Sequence, residues 1–267
     1  MKLFFLFFLI TTSSFSSQTY RFTYRYKFVI DTLKKNDITE EIVVLDHNSK
    51  KQHSIFTGFK HIISDSTMTE DSKRGIMSFP DASMKIRYVI EKSSGNKAYF
   101  YTSNHMPNPV LKIKDERKMN WEISSKKENI LGYPAQKATT IFAGREWTAW
   151  FTTELPISDG PYKFYGLPGL ILKIYDKTTT HLFEIVSVQK QKSNYVVLND
   201  ETYKEAKEIT LKEYENMHYN PLDLYRKKAF TGDIIFHSNE EQQQFLKNID
   251  ARIKESKIHD NNPIELE

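Results

Sequence analysis

The chain has no cysteine. That absence excludes a disulfide framework, a thiolate zinc site, an iron–sulfur cluster and a thiol nucleophile. Glycine and proline are scarce, nine of each in 267 residues, so collagen-like and glycine-rich disordered chains are excluded as well. No apolar run approaches the roughly 20 residues that a membrane-crossing helix needs. Net charge is small: 38 basic side chains against 34 acidic ones give +4, and the two signs are mixed along the chain. The short runs Lys126–Lys127 and Arg226–Lys227–Lys228 read as solvated surface. Nucleic-acid binding, which wants a clustered basic face, is therefore not expected. The common catalytic signatures are missing too. There is no G-x-S-x-G elbow, no H-E-x-x-H, no phosphate-binding G-x-x-x-x-G-K-[ST] and no G-x-G-x-x-G.

What the chain has is aromatic residues, 18 Phe, 15 Tyr and 3 Trp. It also begins with an address. Met1 to Ser17 carries a single charge, Lys2, then the apolar run Leu3–Ile10, then small polar residues interrupted by Phe15. This three-part pattern is that of a secretory signal peptide cut near Ser17. The remainder is expected to be exported, to the periplasm or beyond, without a transmembrane segment.

From Tyr20 to Ile30 the residues alternate strictly. Tyr20, Phe22, Tyr24, Tyr26, Phe28 and Ile30 share one face, and Arg21, Thr23, Arg25 and Lys27 the other. Period 2 predicts a strand with one buried and one wet face. Further strands are predicted over 41–46, 53–59, 84–91, 97–102, 119–124, 136–142, 146–152, 170–175, 182–188 and 195–199. Turn residues at 92–96 and 143–145 mark hairpins. Residues 62–73 read as a short polar helix or a loop. The tail turns helical: Thr210 with Glu213, and Ser238 with Glu241, form capping boxes before helices over 210–219 and 240–254. In the second helix Phe245, Ile249 and Ile253 make a narrow apolar stripe. The expected fold is mainly β, a curved antiparallel sheet or half-open barrel with C-terminal helices. Its segments would be a signal peptide (1–17), a β domain (18–205) and a helical tail (206–267).

The eight histidines show no spacing of a metal pair, and no cofactor is implied. His47, His53, His61 and His181 would support a hydrolase or metal-dependent enzyme only by converging on a carboxylate in the fold. One segment stands out. Glu154 to Gly169 holds a third of all the glycine and a third of all the proline, together with Tyr162, Phe164, Tyr165 and Leu167. Proline fixes φ and glycine permits sharp corners, so this is a stiff, bent, aromatic loop between two strands. Loops longer than about 12–15 residues are often functional. Two readings stand side by side. Either the loop plugs an open end of the sheet, or Tyr162, Phe164, Tyr165, Leu167 and Pro168 contact a ligand or partner.

Gly166-Leu167-Pro168-Gly169-Leu170-Ile171 spells GLPGLI, and the chain resembles the family of exported bacterial proteins named for that string. Ile130-Leu131-Gly132-Tyr133 with Gln136-Lys137-Ala138-Thr139, then Gly144-Arg145 with Ala149-Trp150-Phe151-Thr152, then Pro156 and Gly160–Phe164, and finally Asn262–Leu266 are similar to its other blocks, in the same order. Ala135 is a departure, standing where many members carry cysteine. The resemblance implies an exported protein of undefined biochemistry, encoded near TonB-dependent outer-membrane receptors. It favours a non-enzymatic accessory module of the cell envelope that binds a partner or ligand. A hydrolase or metal enzyme and a purely structural envelope protein are the alternatives.

Overall fold

The computed structural model describes residues 19–93, 97–102, 110–191, 201–217 and 221–266. The signal segment, Ser94–Asn96 of the first predicted hairpin turn, the strand predicted over 195–199, and His105 and His218 lie outside them.

Twelve strands form one sheet: β1 (Thr19–Val29), β2 (Ile38–Asn48), β3 (His53–Gly58), β4 (Val89–Ser93), β5 (Lys97–Tyr101), β6 (Leu111–Asp115), β7 (Glu122–Ile130), β8 (Tyr133–Phe142), β9 (Arg145–Thr152), β10 (Leu170–Asp176), β11 (His181–Gln191) and β12 (Lys207–Thr210). Their order is β12-β6-β5-β4-β3-β2-β1-β11-β10-β9-β8-β7, with β7 and β12 at open edges. Every pair is antiparallel except β12 with β6, which is parallel. The helices are α1 (Phe59–Lys73), the short α2 (Glu201–Lys204) and α3 (Leu211–Asn216), α4 (Pro221–Thr231) and α5 (Asn239–His259). The fold is mainly β, a single open sheet with C-terminal helices.

Two hairpins follow from local chemistry. Leu131 and Gly132 take φ of 52° and 84°, and Ala143 and Gly144 take 50° and 73°. Paired positive φ is the two-residue turn that matches strand twist, so β7–β8 and β8–β9 close at Ile130↔Tyr133 and Phe142↔Arg145. The aromatic face of β1 is buried as its alternation requires, with Phe22 and Tyr24 fully enclosed.

The sheet curls around that face. Phe142 at the end of β8 meets Phe164, Phe164 meets Tyr162, and Tyr162 meets Tyr88 just before β4, with ring centroids 5.9, 6.0 and 5.9 Å apart. Seven strand spacings separate β8 from β4, about 34 Å in a flat sheet at about 4.8 Å each. Three ring contacts span that gap only if the two halves face each other. Register shifts at Thr23/Tyr24, Ile171/Lys173 and Ile123/Lys127 supply local bends. On the outer face α1 covers β2 and β3, placing Ile62 with Val44, Ile55 and Val89.

Several boundaries differ from the sequence expectation. Residues 84–88 are not strand; Met84 and Ile86 are buried, but Lys85 and Ile86 give their N–H groups to the buried Glu41 carboxylate, at 2.6 and 3.0 Å, instead of to a neighbouring strand. β7 begins at Glu122, not at 119, and continues through Lys126–Lys127 to Ile130. As an edge strand it is solvated on both faces through most of its length, so alternation is missing. β6 and β12 were not anticipated, and β12 places a strand inside the tail expected to be helical. The capping box at Thr210 is present.

Candidate functional site: the loop between β9 and β10

Residues 154–169 fold back into the trough of the curled sheet. The chain reverses through tight turns at Leu155–Asp159 and pairs Asp159 with Tyr165. Tyr162 sits at φ 53°, a conformation that costs a bulky residue energy unless its surroundings hold it. They do: its hydroxyl donates to Glu265 Oε1 at 2.7 Å, and its ring packs edge-on to Phe56 and Tyr88. Gly169 is required by close approach, because a Cβ there would lie 2.0 Å from the Thr152 carbonyl oxygen.

Of the residues singled out from sequence, Tyr162, Phe164 and Leu167 are core, at most 3% exposed. Phe164 lies 4.7 Å from the Trp147 ring. Tyr165 is half-buried; its carbonyl accepts from Trp121 Nε1 at 2.8 Å. Pro168 is exposed. The structure thus divides the group into three residues that fix the loop and two that reach its surface.

Buried charges fasten the loop, and of the side chains that form its first clamp only His47 is among the candidates read from the sequence. Lys92 Nζ donates to the carbonyls of Gly160 (2.5 Å), Tyr162 (2.9 Å) and, at the long limit, Phe164 (3.4 Å). It also pairs with Asp159 Oδ1 at 2.6 Å. His47 Nδ1 lies 3.0 Å from the other carboxylate oxygen. Burial alone would raise the Asp159 carboxyl; the Lys92 charge and the His47 contact overcome that and hold it well below the usual range. Burial likewise opposes the Lys92 charge, yet a ring of oxygen acceptors fits an ammonium and leaves no role for a free amine. Register explains how the group assembles: Lys92, Ser54, His47 and Tyr20 are successive cross-strand partners on β4, β3, β2 and β1.

A second cluster joins the loop to β6 and the C-terminus. Lys163 Nζ lies 2.8 Å from both Asp115 and Glu265, and Arg117 bridges the same two carboxylates at 2.7 and 2.8 Å. Burial raises the Asp115 carboxyl, but Arg117 and Lys163 bring it down to about 2. A third ties the end of β10 to the tail. Arg145 bonds Asp176, Asn262 and the Pro263 carbonyl, while Asn262 donates to Val29 O at 2.7 Å. Next to it the Tyr26 hydroxyl meets His181 Nδ1 at 2.7 Å. Burial, with the Arg145 charge, pushes the His181 imidazole down to about 4.

The histidines do not converge. His47 meets Asp159, His53 meets Glu91, and His61 lies 3.6 Å from Asp65, three carboxylates in three places. Among the described residues no three His, Asp or Glu side chains gather as a metal site would need.

One signal could have exposed the clamp. The buried polar and charged side chains that the strands contribute to these clusters continue an inward-facing alternation: Val43, Leu45, His47; Leu111, Ile113, Asp115; Leu172, Ile174, Asp176; Arg145, Trp147, Ala149. Lys92 follows Ile90 in the same way.

With this geometry in hand, the molecule is of a class defined by a curled, open β-sheet whose trough is filled by its own loop. A family described as a protein of unknown function, Porph_ging, matches residues 143–173, the β9–loop–β10 unit. No curated protein matches the chain. Two solved structures of PNGF-II, in the C2 and P21 space groups, are similar in fold, each with a TM-score of 0.52 and 21% identity over 75% of this chain. The matched region spans about a third of those chains, 32% and 33%.

Proposed function

We propose that this chain is an exported, non-enzymatic binding module of the bacterial cell envelope, of the GLPGLI type. Its partner would be an envelope protein; a TonB-dependent outer-membrane receptor is the candidate suggested by the sequence resemblance. The observation that carries the reading is the clamped loop. Lys92, Lys163 and Trp121 fasten its backbone and side chains from within, which leaves Tyr165 and Pro168 on a rigid crest. A preordered loop loses little freedom on binding, and a partly exposed tyrosine is a good anchor. Tyr162, Phe164 and Leu167 serve the site by fixing that crest.

The test replaces Tyr165 with a photocrosslinking amino acid in the exporting cell and identifies the products by mass spectrometry. The reading expects a single envelope protein, a TonB-dependent receptor, captured in proportion to illumination. It further expects capture to fall when Pro168→Ser is added without a change in melting temperature. Absence of any crosslinked protein from a correctly folded, exported chain would overturn it.

A further inference from the structure

The segment between α1 and β4, residues 74–88, forms a strap that is fastened at its base and apolar at its tip. Asp81 N donates to Ser64 Oγ, Ser83 N donates to Asp81 Oδ1, and Lys60 Nζ donates to Ser83 Oγ, at 3.1, 2.8 and 3.0 Å. Met84 and Ile86 are sunk in the core, and the Glu41 carboxylate receives the N–H groups of Lys85 and Ile86. From this base Ile76, Met77 and Phe79 project to solvent, 53%, 83% and 79% exposed. Phe79 also lines a shallow groove with Ile63 and Met68 of α1, and Ile63 is itself half in solvent. Contiguous exposed apolar side chains mark an interaction surface.

The charges around the tip indicate what covers it. Lys73 and Arg74 precede it; Lys85 and Arg87 follow it. Arg87 donates to the carbonyls of Ala82 and Met84, which keeps its guanidinium at the base of the strap. Asp81 is the one acidic residue between Lys73 and Arg87, and its carboxylate caps the Ser83 N–H. On α1, Glu70 pairs with Lys73, Asp65 faces His61, and Asp71 stands at the last turn. With Lys73 taken up by Glu70, an apolar tip with Arg74 before it and Lys85 and Arg87 after it matches the boundary of an anionic bilayer. There apolar side chains enter the acyl region while Lys and Arg meet the headgroups.

We infer that Ile76, Met77 and Phe79 form a membrane-surface anchor, held at the edge of the fold by Ser64, Asp81 and Ser83 and directed to anionic lipid by Arg74, Lys85 and Arg87. This goes beyond the receptor reading and does not depend on it, because strap and loop crest are separate segments.

The experiment is sedimentation of the exported chain with vesicles of phosphatidylcholine alone and of phosphatidylcholine mixed with phosphatidylglycerol. The unaltered chain should bind the phosphatidylglycerol vesicles, less so as salt rises. The triple variant Ile76→Ser, Met77→Ser, Phe79→Ser should lower its partition by about tenfold or more, since each lost apolar side chain removes acyl contact. The charge variant Arg74→Gln, Lys85→Gln should remove the preference for phosphatidylglycerol. All the substituted side chains are on the exposed surface, so melting temperature should be unchanged and controls for folding. Failure of the unaltered chain to bind, or equal binding by the triple variant, would overturn the inference. So would capture of a protein at position 79 with no lipid association.

Discussion

Replacing Lys92 by methionine tests the central contact of the fold. Methionine retains the apolar stem and removes the ammonium that lies 2.6 Å from Asp159 and 2.5 and 2.9 Å from two loop carbonyls. Removing one member of a buried ion pair costs about 3–5 kcal/mol, because the remaining charge stays desolvated. His47, at 3.0 Å, offsets part of this. The two carbonyls left without a donor add about 1–3 kcal/mol each if they remain buried. The low ends of these ranges sum to about 5 kcal/mol, and that is the net loss expected. For a domain of this size, about 2–4 °C per kcal/mol turns it into a fall of roughly 10–20 °C in Tm. Urea unfolding, followed through the fluorescence of the three tryptophans, gives the free energy directly. Adding Asp159→Asn to Lys92→Met should cost less than the two single losses together, since the stranded carboxylate is gone. A Lys92→Met loss below about 1 kcal/mol, the range of exposed pairs, would refute the clamp.

Other contacts give further outcomes. His181 titrates near 4 in the fold against 6.5 when free, so the unfolded chain takes up its proton first as pH falls. Its contribution is complete above about pH 6.5 and is lost progressively toward pH 4, an effect of about 3 kcal/mol at about 1.4 kcal/mol per pH unit. Urea midpoints at neutral and acid pH should show this slope flattened in His181→Gln; an unchanged slope would dismiss the assignment. Gly169→Ala drives a Cβ into the Thr152 backbone and should cost about 3 kcal/mol or more. Gly75→Ala, in open space at φ +72°, should cost only about 1 kcal/mol; similar melting temperatures for the two would contradict the packing. Glu265→Gln keeps an acceptor for Tyr162 but removes the charge shared by Lys163 and Arg117. Thermal unfolding should register a loss of about 1.5–3 kcal/mol. A change within about 0.5 kcal/mol, typical of surface substitutions, would place the C-terminal segment outside the cooperative unit.

Much of this architecture was legible because it is local. The period-2 run at Tyr20–Ile30 specifies a strand and its buried face from neighbouring residues alone, and β1 follows it. The crowding of glycine and proline into 154–169 announced a rigid loop, and the Thr210–Glu213 box announced a helix start. Residues 84–88 misled for the same reason. Their alternation is real, but a carboxylate on β2 takes the N–H groups that a neighbouring strand would have taken. β7 was cut short because an edge strand has no buried face to print on its sequence.

The sequence by itself determined most strands of the sheet's middle, the buried aromatic face of β1, the absence of thiol chemistry and the place of the unusual loop. Only the tertiary structure decided that Tyr162, Phe164 and Leu167 point inward while Tyr165 and Pro168 reach the surface, and that Lys92, His47 and Asp159 meet. Those three come from positions up to 112 residues apart. Strand register and the curl of the sheet bring them together, and both are set by the packing of whole strands. A buried charge is tolerated only beside its partner, and nothing in the local spacing of residues says where that partner will be.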